Sequence, residues 1–310
     1  MRWLAAGLLI IIAAGVFFVF TVASHSHNRY VKHFASMVDP NSYKNVNRLK
    51  SWSLTLEMIG DNPLTGVGAG NWQLEAPKYY PGRFSDREEL NWVRPHNDFL
   101  WIFAEKGLIG FGIYLAIFAI TFYYLLQVLR LGNRDEKRIA LALVAGLTGY
   151  LAASVFDFPY ERPFHLAMLA LYLAGSVTLW TRIRPVEPLV SHRALLPVSY
   201  LFVSFSIAIY ALLVLRQENL VRKAMDDAVA QNWPAMLEHA TSARSLVKNL
   251  DPLANPVETY VGKALEETGD KTGSLASFRK AFEQNPTKLK VIMNVARLLE
   301  VNGRYDEALQ

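Results

Sequence analysis

The sequence predicts an all-α protein: a polytopic bundle of membrane helices joined to a helical repeat domain outside the membrane. Three observations predict it. Five long apolar stretches, 4–23, 107–129, 139–156, 164–180 and 194–215, contain no Lys, Arg, Asp or Glu. After residue 215 the chain turns polar, charged and helix-favouring. Within that last part, equivalent residues recur 34 positions apart. The expected layout is a membrane helix over 1–23, a large functional loop over 24–106, four membrane helices over 107–215 and a repeat domain over 216–310.

A hydrocarbon core about 30 Å thick requires roughly 20 apolar helical residues. The stretches 139–156 and 164–180 are short and can pair as a hairpin through the turn 157–163. The first stretch follows Arg2 and ends at a small-residue site, Val22-Ala23-Ser24, as a signal peptide would. Its apolar run is long for that role, which favours a membrane helix. The loop 130–138 carries Arg130, Arg134, Lys137 and Arg138, and the loop 181–193 carries Arg182, Arg184 and Arg193. Basic loops stay cytoplasmic. The segment 24–95, the turn 157–163 and everything after 215 are therefore expected on the outer side, the periplasm of a Gram-negative cell, with the spans in its inner membrane.

The chain has 310 residues and no cysteine, so a disulfide framework and cysteine metal sites are excluded. A formal charge of +5 is too modest to mark a nucleic-acid binder.

The outer loop contains Trp52, Trp72, Trp92, Tyr79 and Tyr80, enough aromatic surface to fold. Residues 53–59 predict a short helix ended by the turn 61–66. Arg29 and Lys32 lie near a span and read as headgroup contacts. Arg48 differs, standing four residues before Trp52 at the start of the helical segment. The run Gly66-Val67-Gly68-Ala69-Gly70-Asn71-Trp72 invites a nucleotide-loop reading. No apolar strand precedes it, so a tight backbone turn that packs Trp72 is the better reading.

Three stretches carry a family resemblance. They are Arg48-Leu-Lys-Ser-Trp52, then Pro63-Leu-Thr-Gly-Val-Gly-Ala-Gly-Asn-Trp72, then His96-Asn97 followed after nine residues by Gly107-Leu-Ile-Gly110. In this order, on a loop leading into a span, the chain resembles the O-antigen ligase/polymerase family over about residues 1–180. The stretch Ser154-Val-Phe-Asp157-Phe-Pro159 also looks like that family's later outer turn. The resemblance implies a glycosyltransferase without cofactor or metal. Its donor would be an undecaprenyl-diphosphate-linked glycan, and its acceptor lipid A-core, another glycan or a protein hydroxyl. It gives Arg48 a diphosphate-binding role and His96 a role in transfer. Members carry further spans ahead of this loop, so the chain is expected to be part of a longer protein and doubtful as an enzyme in isolation.

The residues suit that chemistry. A departing diphosphate needs neutralising, and arginine grips phosphate oxygens with a fork that stays charged. Arg48 is the first choice and Arg94 the second. An acceptor hydroxyl must lose a proton, and a histidine titrates near operating pH. His96 lies just before a helix expected to begin at Asn97 or Asp98, both good N-caps, whose free N–H groups would favour a phosphate. Asn97, Asp157 and Arg162 join Arg94 as expected substrate-binding residues. For the charged turn Asp157, Glu161 and Arg162, local ion pairing is the plainer alternative. The turn is too short to place a sugar between its carboxylates, which excludes glycosidase chemistry there. Gly107 and Gly110 are expected to admit a neighbouring helix. His25, His27 and His33 read as interfacial, and His165 as hydrogen-bonded between helices.

In the last part, Gly269 and Gly303, Ala264 and Leu298, Leu265 and Leu299, Leu275 and Leu309, and Pro252 and Pro286 are each 34 apart. This is the tetratricopeptide period, with the final repeat incomplete at Gln310. Such units stack and offer a concave surface, either to a protein partner or merely to brace the membrane part. A rival reading of the whole chain is a membrane-anchored repeat scaffold for envelope polysaccharide assembly without catalysis. A transporter is disfavoured because the predicted spans lack acidic residues.

Overall fold

A computed structural model describes residues 43–80, 92–184, 195–245 and 247–308. The first apolar stretch, Arg29, Lys32, Arg193, Leu309 and the three histidines before residue 34 lie outside the described residues. Those described are helical apart from turns, loops and one isolated bridge, Leu250 to Pro256.

Among the described residues, four helices are long and apolar enough to cross a membrane. Helices α3 (Asp98–Leu131), α4 (Arg134–Phe156) and α5 (Pro163–Ile183) pack on one another. Their shared core holds Phe118, Leu125, Val128, Ala140, Leu147, Tyr150 and Leu179. Gly146 keeps α4 close to α5, since a Cβ there would meet the Tyr172 ring at 2.7 Å. The tight α3–α4 connection is closed by a capping box in which Asn133 bonds the N–H of Glu136 and Glu136 bonds back.

Two loop helices precede the bundle: α1 (Tyr43–Asp61) and the short α2 (Trp72–Glu75), which runs into a 3-10 turn, Ala76–Tyr79. Helix α1 is longer than the predicted 53–59. Its buried face, Ser51, Leu54, Thr55 and Met58, has helical spacing and docks on Trp72, Ala76 and Ala104.

The Gly-rich run is a structural joint, as the turn reading anticipates. Helix α3 breaks at Gly107, where φ is +62°. The amides and carbonyls freed by the break are taken up by the run and the turn before it. Val67 N donates to Ala104 O at 2.9 Å, Gly68 N to Glu105 O at 2.9 Å, and Leu108 N to Pro63 O at 2.8 Å. A Cβ on Gly107 would lie 2.2 Å from Leu64 O, and one on Gly66 2.4 Å from the Glu105 carbonyl carbon. The close neighbour of Gly107 is thus this loop rather than a helix, and Gly110 faces only Lys106 of its own helix. Trp72 is fully buried, its indole N–H donating to Thr55 Oγ1 at 3.0 Å.

Helix α6 (Leu195–Val229) is about 52 Å long at 1.5 Å per residue, well beyond the apolar core. None of its apolar window is buried, whereas its polar end packs against α7 (Trp233–Ser242). Helices α8 (Val257–Glu267), α9 (Lys271–Gln284), α10 (Leu289–Val301) and α11 (Tyr305–Ala308) continue the stack, each on its predecessor. Gly269 and Gly303 follow α8 and α10 with φ of +94° and +72°. Thr287 Oγ1 donates to Leu74 O at 3.0 Å, so the stack and the α1–α2 loop share one side.

Candidate functional site

The residues expected to carry chemistry gather where three elements meet: α1, the start of α3, and the 3-10 turn Pro159–Glu161 between α4 and α5. The carbonyl of Pro95 ties the first two together. It accepts from Ser51 Oγ at 3.1 Å and from the Trp52 indole N–H at 2.9 Å. The Arg-x-x-x-Trp spacing thereby gains a physical reason, because Trp52 one turn beyond Arg48 fixes the segment that presents His96.

His96 has a left-handed backbone, φ +55°, unusual for a residue with a side chain. The conformation turns the chain into α3, whose N-cap is Asn97. Asn97 Oδ1 accepts from Leu100 N at 3.0 Å, and the residue is buried, so its side chain has a structural duty beside any substrate contact.

The turn carries the rest. His96 Nδ1 faces Asp157 Oδ1 at 3.8 Å, an ion-pair separation beyond hydrogen-bond reach. Arg162 pairs with Asp157 at 2.8 Å. Glu161 does not pair within the turn. A terminal nitrogen of Arg94 donates to it at 2.9 Å, and Arg94 Nε lies 2.7 Å from its other oxygen as an ion-pair contact without hydrogen-bond geometry. Phe158 lies at the hub. Arg94 sits over its ring at 4.4 Å, Arg162 at 4.7 Å, and the His96 ring meets it edge-on at 5.0 Å.

Arg48 is half-buried and within electrostatic reach of His96. Its terminal nitrogen reaches Asn45 Oδ1 at 3.4 Å. Burial holds the His96 pKa below the usual 6.5, and the charge of Arg48 adds to this. Asp157 pulls the other way, and Arg94 and Arg162 lower it further. The balance of these effects favours the neutral imidazole, the form able to accept a proton.

The structure thus brings Arg48, Arg94, His96, Asp157 and Arg162 to one place, with Asn97 beneath them. His165 stands apart: its Nδ1 has no hydrogen-bond partner among the described residues, contrary to the expected interhelical bond. Sequence reading missed Phe158 and the Glu161–Arg94 pair. An aromatic residue between acidic and basic ones in a short turn was the available signal. It also missed Tyr160, whose N–H bonds Asp98 at 2.9 Å and whose hydroxyl receives Lys106 at 2.9 Å.

No curated protein and no solved structure matches the chain. Residues 1–115 match the family model described as O-antigen ligase, a span that holds Arg48, Arg94, His96 and Asn97, and to that extent the chain is similar to a family of membrane glycosyltransferases.

Proposed function

We propose that this chain belongs to a membrane glycosyltransferase that moves a glycan from a polyprenyl-diphosphate donor, undecaprenyl diphosphate by the family resemblance, to a sugar or protein hydroxyl. The observation that carries the reading is the gathering of His96, its neighbouring carboxylate Asp157 and three arginines at the mouth of an apolar bundle. With Nδ1 turned toward Asp157, Nε2 is left to take the proton of the acceptor hydroxyl, and Asp157 stabilises the imidazolium that forms. The hydroxyl oxygen bonds to the anomeric carbon as the bond to the diphosphate oxygen breaks. Arg48 meets the charge on the leaving diphosphate, and Arg94 and Arg162, held on Phe158, add to the positive field. The site is read as facing the outer side of the inner membrane, a reading supported by the basic residues of the loops 130–138 and 181–193.

The helical stack is read as a tetratricopeptide-like domain on that same side. Its support is the 34-residue recurrence together with the left-handed glycines after α8 and α10. It would hold a protein partner near the α1–α2 loop, which Thr287 touches.

Substituting Arg48 and His96 in the full-length protein and measuring surface glycan tests the reading. Glycan lost at normal protein levels is expected; unchanged glycan removes both residues from the mechanism.

A further inference from the structure

We infer that Asp98, two residues beyond His96, is the positioning residue that holds Asp157 against His96. The inference rests on the roles proposed for those two residues. Asp98 Oδ2 accepts from the N–H of Tyr160 at 2.9 Å. That bond closes a small ring of chain. One side runs His96, Asn97, Asp98, and the other Asp157, Phe158, Pro159, Tyr160. The ring is shut by the Asp98–Tyr160 bond at one end and by the facing of His96 and Asp157 at the other.

Asp98 is fully buried and touches no surface a substrate could reach. Its influence must therefore pass through the turn. Ser154, also fully buried and on the last turn of α4, lies beside the carboxylate. The Tyr160 ring is held independently, by Lys106 on its hydroxyl and edge-on by Trp101 at 6.4 Å. Removing Asp98 would leave the Tyr160 side chain anchored, and Asp157 N would stay on Ala153 O, but the turn would lose its tie to the start of α3, the element that carries His96. A carboxylate buried on one backbone N–H costs stability that an apolar side chain would not. Its placement is explained by the geometry it imposes on the turn.

The test is the titration of the His96 ring, followed by NMR on the full chain in lipid nanodiscs and assigned with His96→Gln. Arg48, Arg94 and Arg162 surround the ring together with Asp157, which raises its pKa. Asp157→Asn therefore gives the reference shift, downward. Asp98→Leu should reproduce at least half of that shift and lower glycan transfer about tenfold or more, as misplacement near a reacting group does. Asp98→Asn keeps an acceptor for Tyr160 and should titrate like the natural protein, with transfer within about twofold of it. Should the leucine variant fail to assemble, Asp98→Ser, too short to reach Tyr160, is read the same way. A natural titration in the Leu or Ser variant overturns the inference, as does a displaced one in Asp98→Asn. Intact surface glycan in His96→Gln and Asp157→Asn would instead overturn the functional reading, while the coupling of Asp98 to the His96 titration would still stand.

Discussion

At the mouth of the bundle His96 faces Asp157 at 3.8 Å, with both side chains more than a third exposed. In the helical stack His239 meets Asp227 at 2.6 Å, and both are mostly covered. The closer pair has the plainer surroundings. It bridges α6 and α7 beside Ala224, Met236 and Ala240, and it joins two ordinary helices. The looser pair sits on a left-handed backbone, between a turn and a helix start, within the field of three arginines. In this chain the short contact fastens two helices, whereas the looser pair leaves its histidine partly free among charges, the arrangement on which the proposed function rests.

The largest test of that contrast is removal of the imidazoles. His96→Gln should lower transfer by about 10²- to 10⁴-fold, the usual worth of a positioned base, with an unchanged melting temperature. Glycan transfer in membranes from cells making the full-length protein reads the first quantity, and thermal unfolding in detergent the second. Equal losses in His96→Gln and His239→Gln would erase the distinction between the two pairs.

Arg48 comes next. Arg48→Ala should reduce transfer about 100-fold, the scale of losing one charge-stabilising donor. Arg48→Lys should recover part of the loss, because a lysine restores the charge but not the fork. Full recovery by lysine would show that the site uses the field of Arg48 alone. No effect from either change would detach α1 from the chemistry.

Much of the fold was legible because lipid demands long uncharged runs, and these stand out in any sequence. The start of α3 at Asp98 was legible too, from the N-cap residues at 97 and 98. What the sequence did not show is that its first turns, ahead of the apolar run at 107, are buried in the loop domain rather than in lipid. There Glu105 can be covered while accepting from the Trp101 indole at 2.8 Å, and Lys106 while bonding Tyr160. The candidate residues themselves were visible as types at motif spacings. Their partners were not. Arg94 with Glu161 and Asp98 with Tyr160 are more than 60 residues apart in sequence and follow no period. Nor could the sequence show that the Gly66–Gly68 turn and Gly107 are two halves of one joint, since the shared hydrogen bonds exist only once α3 breaks.

A subtler separation of the two pairs is their dependence on pH. In the proposed role His96 is a neutral base, so kcat/KM should fall on acidification as the ring protonates, with an apparent pKa below 6.5. Asp157 raises that pKa, so Asp157→Asn should move the acidic limb to lower pH even as the maximal rate drops. Asp227→Asn should leave the limb where it was. A limb that stays put in Asp157→Asn would mean that another group sets the profile.

The smallest expected effect belongs to the tight pair. His239→Ala removes the contact between α6 and α7 but leaves the apolar packing of Ala224 with Met236 and Ala240. A partly charged hydrogen bond of this kind contributes about 1 to 3 kcal/mol, and the partial exposure of both groups places the loss near the lower end. The unfolding temperature of the stack should drop by a few degrees, with glycan transfer intact. Only an effect on transfer without an effect on unfolding would reverse the assignment. It would mean that α7 communicates with the bundle through the stack and the Thr287–Leu74 contact, and that the fastened pair is part of the working machinery after all.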